Sequence, residues 1–148
     1  MNPIIDRLAR RLPVLAMGVR SSRTGDIARI AKATGHDMIW VDLEHCAMPL
    51  DAAAQICACA ADIGIAPFVR IPELEYGAIG RVLDGGATGI IAPRIETLAQ
   101  AQDVIAACRF PPLGHRSAIA SLPQFGYRRM DAGIEWPSFG SVRRLASL

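Results

Sequence analysis

Four short apolar runs, each closed by a polar or charged group, divide most of this chain into units of roughly 25 residues. They begin near Val14, Met38, Ala66 and Gly89. The second, Met38-Ile39-Trp40-Val41-Asp42-Leu43-Glu44-His45, is the clearest: five apolar residues lead into a cluster of three ionisable ones, Asp42, Glu44 and His45. An apolar run of this length, rich in β-branched and aromatic residues, is expected to be a strand buried on both faces. Between the runs the spacing turns helical. Ile27, Ile30, Ala31 and Thr34 recur at i, i+3, i+4 and i+7, with Thr24 placed to cap the start and Gly35 the end. Leu50 to Ile63 is a helix of small residues stopped by Gly64. Glu73 to Leu83 carries Ile79, Val82 and Leu83 on one face and stops at Asp84-Gly85-Gly86. Thr97 with Gln100 makes a capping box ahead of the stripe Leu98, Ala101, Val104, Ile105 and Cys108. Strand then helix, repeated, specifies an α/β fold with parallel strands.

Residues 4–12 add a short amphipathic helix before the first unit, ended by Pro13. After Arg109 the rhythm fails, and Ser117 to Leu122 is at most one short strand. Residues 1–148 form a single domain, long enough to bury a core. Four βα units equal half of a (β/α)₈ barrel, which needs about 250 residues. They also suit a flavodoxin-like open sheet, and periodicity admits both.

Composition excludes several classes. The chain is 51% hydrophobic and 20% charged, so it is globular. A formal net charge of +2 argues against a nucleic-acid or anionic-membrane partner. No apolar run is long enough for a membrane span. The N-terminus lacks the core of a signal peptide, which leaves a cytoplasmic location as the expectation. The four cysteines, Cys46, Cys57, Cys59 and Cys108, have no metal-finger spacing and are expected to be free thiols.

Four groups fall at or just past the expected strand ends: Arg20, the Asp42/Glu44/His45 cluster, Arg70 and Arg94. In parallel α/β folds that edge carries the ligand site. Strand side chains alternate, so Asp42 and Glu44 share a face and His45 opens the loop. A histidine beside a carboxylate suits general-base work near neutral pH. An arginine one strand away offers a planar fork to a carboxylate or a developing enolate oxygen. The plainer alternative is a helix-capping histidine with surface ion pairs. Gly85-Gly86 is explained by a helix-to-strand turn rather than a phosphate loop, and Cys57 and Cys59, two apart on a helix, cannot readily share one metal.

The stretches Trp40-Val41-Asp42-Leu43-Glu44-His45, Phe68-Val69-Arg70-Ile71-Pro72, Val82-Leu83-Asp84-Gly85-Gly86-Ala87, Ile91-Ala92-Pro93 and Arg109-Phe110-Pro111-Pro112-Leu113-Gly114-His115-Arg116-Ser117 together resemble the class II pyruvate aldolases of the HpcH/HpaI aldolase and citrate lyase β superfamily. The similarity runs in order from about Val14 to about Gly133. It implies the N-terminal half of a (β/α)₈ TIM barrel. It also implies a metal-dependent aldolase (a carbon–carbon lyase) that cleaves 4-hydroxy-2-oxo acids to pyruvate and an aldehyde. On this resemblance His45 matches the general base. Arg70 matches the arginine that binds substrate and stabilises the enolate. Asp84 matches the aspartate that strengthens the base, and Asp42 supports the same acidic strand end from behind. The resemblance further implies a divalent metal, Mg²⁺ or Mn²⁺, a small 2-oxo acid substrate and a homo-oligomer.

Three departures stand out. The family's metal ligands, a glutamate on the fifth strand and an aspartate after the sixth, have no counterpart in these residues, so no metal ligand is assigned here. Residues 134–148 diverge from the pattern, as a reading-frame change or truncated gene would produce, and Glu135 is not promoted to a ligand. The family's first-strand tryptophan is Val19, which is expected to alter substrate fit. Two further readings follow for a chain of this kind: an inactive fragment that acts by self-association, and a module that binds a small anion through Arg20, Arg70 and Arg94.

Overall fold

The computed structural model describes residues 3–119, 121–123 and 126–128. The 134–148 tail and Glu135 lie outside the described residues. The elements follow as α1 (Pro3–Ala9), β1 (Ala16–Val19), α2 (Asp26–Ala33), β2 (Met38–Asp42), α3 (Leu50–Asp62), β3 (Ala66–Arg70), α4 (Tyr76–Asp84), β4 (Gly89–Ile91) and α5 (Leu98–Cys108). The strands make one four-stranded sheet in the order β1-β2-β3-β4, and every pairing is parallel. An open doubly wound sheet would place a later strand on the other side of the first. The sequential order rules that alternative out and leaves consecutive units of a barrel wall.

Alternation along each strand sorts the residues into two faces. One face carries Val19, Ile39, Val41, Val69 and Ile71, all buried in a single core with Ala28 and Ala31 of α2, Ala53, Ile56 and Cys57 of α3, Ile79, Val82 and Leu83 of α4, and Ala107 of α5. Small residues on α3 let it lie close to its neighbours. A Cβ on Gly85 would fall 2.7 Å from the Cβ of Ala54, and Gly86 adopts φ 107° against the backbone of Ala58. The double glycine is therefore a close-approach turn from α4 toward β4. Val19, only 2% exposed, belongs to this helix-side core. Its expected influence on substrate fit is corrected accordingly, because the strand turns it away from the opposite face.

The other face is only half-buried, contrary to the expectation that β2 is covered on both sides. Its central register row runs Gly18, Trp40, Phe68, Gly89 across the four strands. The Trp40 ring lies over Gly18 and the Phe68 ring over Gly89, where added Cβ atoms would sit 2.9 and 2.7 Å from the rings. This is the concave, barrel-interior face.

Several boundaries move inward from their expected positions. The first helix stops at Ala9, and Arg11 turns into the left-handed region at φ 56° before Pro13. Gly25, not Thr24, is the N-cap of α2, and it makes no side-chain capping bond. Residues 73–75 join the loop before α4. Just before them the Pro72 carbonyl accepts from Arg94 Nη2 at 3.0 Å. Residues 117–119 and 121–122 form no strand. The capping box at Thr97 and Gln100 is present as expected. Among the described residues no helix is long and apolar enough to cross a membrane.

Candidate active site at the C-terminal edge of the sheet

The strands are parallel, so their C-terminal ends share one edge. There Arg20, Asp42, Arg70 and the residue after β4 meet. Asp42 closes β2 opposite Arg70 in register and is fully buried. Burial of a carboxylate is tolerated only with full compensation, and Asp42 has it. Its Oδ1 accepts from Arg70 Nε at 3.1 Å and from the backbone amides of Glu44 and His45 at 2.9 and 3.1 Å. Its Oδ2 accepts from Arg70 Nη2 at 2.7 Å and faces Arg20 Nε at 3.3 Å. The Arg70 hydrogen bonds dominate and, with the two amides and against the cost of burial, hold the Asp42 carboxyl down at about 2. Asp42 is thus an anion near neutral pH, and it shapes the turn carrying His45.

His45 is held by its backbone at both ends. Its amide donates to Asp42, and its carbonyl accepts from Arg20 Nη2 at 2.9 Å. The ring stands more than half exposed, with Nε2 3.6 Å from Glu44 Oε2. Arg70 is fixed by Asp42 below and by Trp40, whose ring centroid lies 5.1 Å from the guanidinium carbon. Its Nη1 faces Glu44 Oε2 at 3.4 Å. Arg94 reaches the same carboxylate from the loop after β4, with Nη1 3.5 Å from Glu44 Oε1. Contact by contact, the edge therefore runs Arg20, Asp42, Arg70, Glu44, Arg94, alternating in charge, with Glu44 reaching across from the turn after β2. Cys46 donates its thiol to the Asp42 carbonyl and is not aimed at His45.

Asp84 does not join this group. It ends α4, which returns the chain to the N-terminal edge of the sheet before β4 begins. Its carboxylate accepts from Arg116 Nη2 at 2.7 Å. The assignment of Asp84 as partner of His45 is corrected on this ground: the helix carries it to the opposite end of the strands, and the carboxylate beside His45 is Glu44. Glu44, Arg20 and Arg94 are the site residues that the family pattern passes over. Alternation does place Glu44 on the face of Asp42, which is the signal that finds it.

The described residues do not fit a divalent metal. None of their His, Cys, Asp and Glu side chains gather in threes able to hold one. The two carboxylates at the edge are already opposed by three guanidinium groups.

A family model for HpcH/HpaI aldolase/citrate lyase matches residues 19–135, most of the chain and all of this edge. The chain belongs to the HpcH/HpaI aldolase/citrate lyase family. It is 39% identical over 114 residues to a 4-hydroxy-4-methyl-2-oxoglutarate aldolase of Hapsidospora irregularis, an alignment covering 76% of this chain and 42% of the relative. It is 35% identical over 128 residues to a protein of the same name from Chaetomium globosum, covering 86% of this chain and 48% of that one. The crystal structure of an HpcH/HpaI aldolase from Desulfitobacterium hafniense superposes with a TM-score of 0.83 at 24% identity, over 97% of this chain and 53% of that structure. The last comparison speaks to the fold alone: the four units correspond to about half of a (β/α)₈ barrel. The chain likewise spans about half the length of the curated relatives it matches.

Proposed function

We propose that this chain carries the proton-transfer half of a class II pyruvate aldolase that cleaves 4-hydroxy-2-oxo acids to pyruvate and an aldehyde. The observation that carries the reading is the pairing of an exposed His45 with an Arg70 immobilised by Asp42 and Trp40 at one sheet edge. In the cleavage direction His45 takes the proton of the 4-hydroxyl. Its electron pair becomes the aldehyde carbonyl, the C3–C4 bond breaks, and the electrons move to the C2 oxygen as an enolate. Arg70, still carrying N–H groups not spent on Asp42, faces that oxygen and stabilises the charge. Return of a proton to C3 releases pyruvate. Asp42 holds both groups in place and, with its carboxyl down at about 2, takes no proton itself near neutral pH.

Family members are generally dependent on a divalent metal, which supplies a Lewis acid when bound. We assign Mg²⁺ or Mn²⁺ to that role, with no ligand set for it among the described residues. A homo-oligomer, a cytoplasmic setting and a small 2-oxo acid as partner belong to the same proposal. Family membership supports this reading over a self-associating fragment or a bare anion-binding module.

The test follows exchange of the pyruvate methyl protons with D₂O by proton NMR. It uses the 148-residue chain and a fusion of it to the remaining barrel units of the Hapsidospora relative. The fusion is expected to exchange with added Mg²⁺ or Mn²⁺, and His45→Ala is expected to reduce this to background. The 148 residues alone are expected to exchange very slowly, by roughly a thousandfold or more, without the Lewis acid. A folded fusion whose exchange is indifferent to His45→Ala would refute the assignment.

A further inference from the structure

The two carboxylates of the edge are held in different ways. Asp42 is fully buried and takes the Arg70 fork at 3.1 and 2.7 Å together with two backbone amides. Glu44 spans two arginines, one oxygen 3.4 Å from Arg70 Nη1 and the other 3.5 Å from Arg94 Nη1. Close charge-assisted hydrogen bonds are roughly 2.7–2.9 Å long, so the grip on Glu44 is loose where that on Asp42 is tight. One carboxylate is fixed and the other is exchangeable.

Arg94 is suited to change partners. Its side chain is 67% exposed and keeps a hydrogen bond from Nη2 to the Pro72 carbonyl at 3.0 Å, whereas its backbone is set by the loop after β4 in the left-handed region at φ 52°, an uncommon conformation for a residue with a side chain. Beside it opens a cleft of about 330 Å³ bordered by Glu73, Leu74, Pro93, Glu96 and Gln100. Three guanidinium groups oppose the two carboxylates of the edge, and two further carboxylates, Glu73 and Glu96, border the cleft.

We infer that Arg70 and Arg94 together form a carboxylate seat for a 2-oxo acid, that Glu44 is its resident occupant, and that the acid's carboxylate displaces Glu44. The protein's own side chain demonstrates the span: a single carboxylate reaches both arginines at once. Displaced, Glu44 keeps His45 Nε2, now 3.6 Å away, as its neighbour. Anion binding is then coupled to the carboxylate beside the base. The pyruvate-aldolase reading supplies the identity of the acid; the seat stands on geometry.

The test titrates the 148-residue chain with sodium pyruvate by calorimetry, with pyruvamide as the uncharged control of the same shape. Glu44→Gln is expected to tighten pyruvate several-fold, since a neutral amide competes poorly for the arginines. Arg94→Ala is expected to weaken it about tenfold and Arg94→Lys by less, with pyruvamide unaffected throughout. A merely structural Glu44 would weaken binding when replaced. Unchanged affinity in Arg94→Ala, weaker affinity in Glu44→Gln with a native far-UV spectrum, or no pyruvate binding by the parent chain would each overturn the seat. Methyl-proton exchange in the fusion separates the two claims. Arg94-dependent binding without exchange keeps the seat and rejects the aldolase. Exchange with a pyruvate KM unmoved by Arg94→Ala keeps the aldolase and rejects the seat.

Discussion

Arg116 and Asp84 form a close ion pair at 2.7 Å, tying the segment after α5 to the end of α4. The Arg116 guanidinium is buried and lies over the Phe110 ring at 4.6 Å. Its charge is neutralised by Asp84, and its Nε has no partner among the described residues. Removing the carboxylate leaves a largely buried cation poorly compensated.

Asp84→Asn should therefore lower stability by about 1–3 kcal/mol, as expected when a buried donor loses its partner. Urea unfolding at neutral pH measures it. In the barrel-completed fusion the same variant should retain His45-dependent exchange. Exchange lost as fully as in His45→Ala, with the fold intact, would return Asp84 to the base.

Asp42 links stability to pH. Its folded-state pKa is depressed from 3.8 to about 2, mainly by the Arg70 hydrogen bonds. The stabilisation is full above the unfolded value and is lost as pH falls through the folded one. Between pH 5 and pH 2 the wild-type chain should lose stability that Asp42→Asn has already lost at pH 7. Breaking one side of a buried pair costs roughly 3 kcal/mol or more, so the variant should melt well below the parent at neutral pH. Parallel melting curves for the two proteins across this range would disprove the linkage.

Cys57 should be inert in the folded chain. It is buried in the helix-side core, and burial pushes its thiol up to about 12. At pH 8 a disulfide reagent should label it only after unfolding, whereas the only partly buried Cys59 should react earlier. Mass spectrometry of labelled peptides gives the order. Early labelling of Cys57 would mean that α3 opens locally.

Gly85→Ala should destabilise despite being a small change at a negative φ. The added Cβ would fall 2.7 Å from that of Ala54 and 3.3 Å from the Arg81 carbonyl. Overpacking of this kind costs roughly 1–3 kcal/mol. Replacing Ala54 with glycine in the same chain should recover part of the loss, and an additive double variant would show that the two residues do not meet.

The βα rhythm was legible because each strand is a short apolar run and each helix repeats on a 3.6-residue period. The choice between barrel wall and open sheet was not, because strand order depends on crossover geometry that no periodicity records. The roles of His45, Arg70 and Asp42 could be approached from their position at strand ends. The loose bridge of Glu44 to Arg94 could not, since it depends on the left-handed turn that the loop imposes on Arg94. Asp84 misled for a related reason. A motif match carries no information about which end of the sheet a helix terminus reaches, and here the terminus meets Arg116 instead.

The row Gly18, Trp40, Phe68, Gly89 bears on how this sheet bends. Both rings are rooted on the central strands and lean outward over the margins, where glycine leaves them room. Rolling the sheet toward its concave side brings the margins together, and on this row neither margin carries a side chain to resist. Curvature is thus favoured by a gradient of side-chain bulk, greatest at the centre and nil at both flanks. The Asp42–Arg70 pair ties β2 and β3, the two strands that carry the rings, at their ends. A motion that spread β2 from β3 would have to break that pair, so bending of the wall and integrity of the charged edge are mechanically one property.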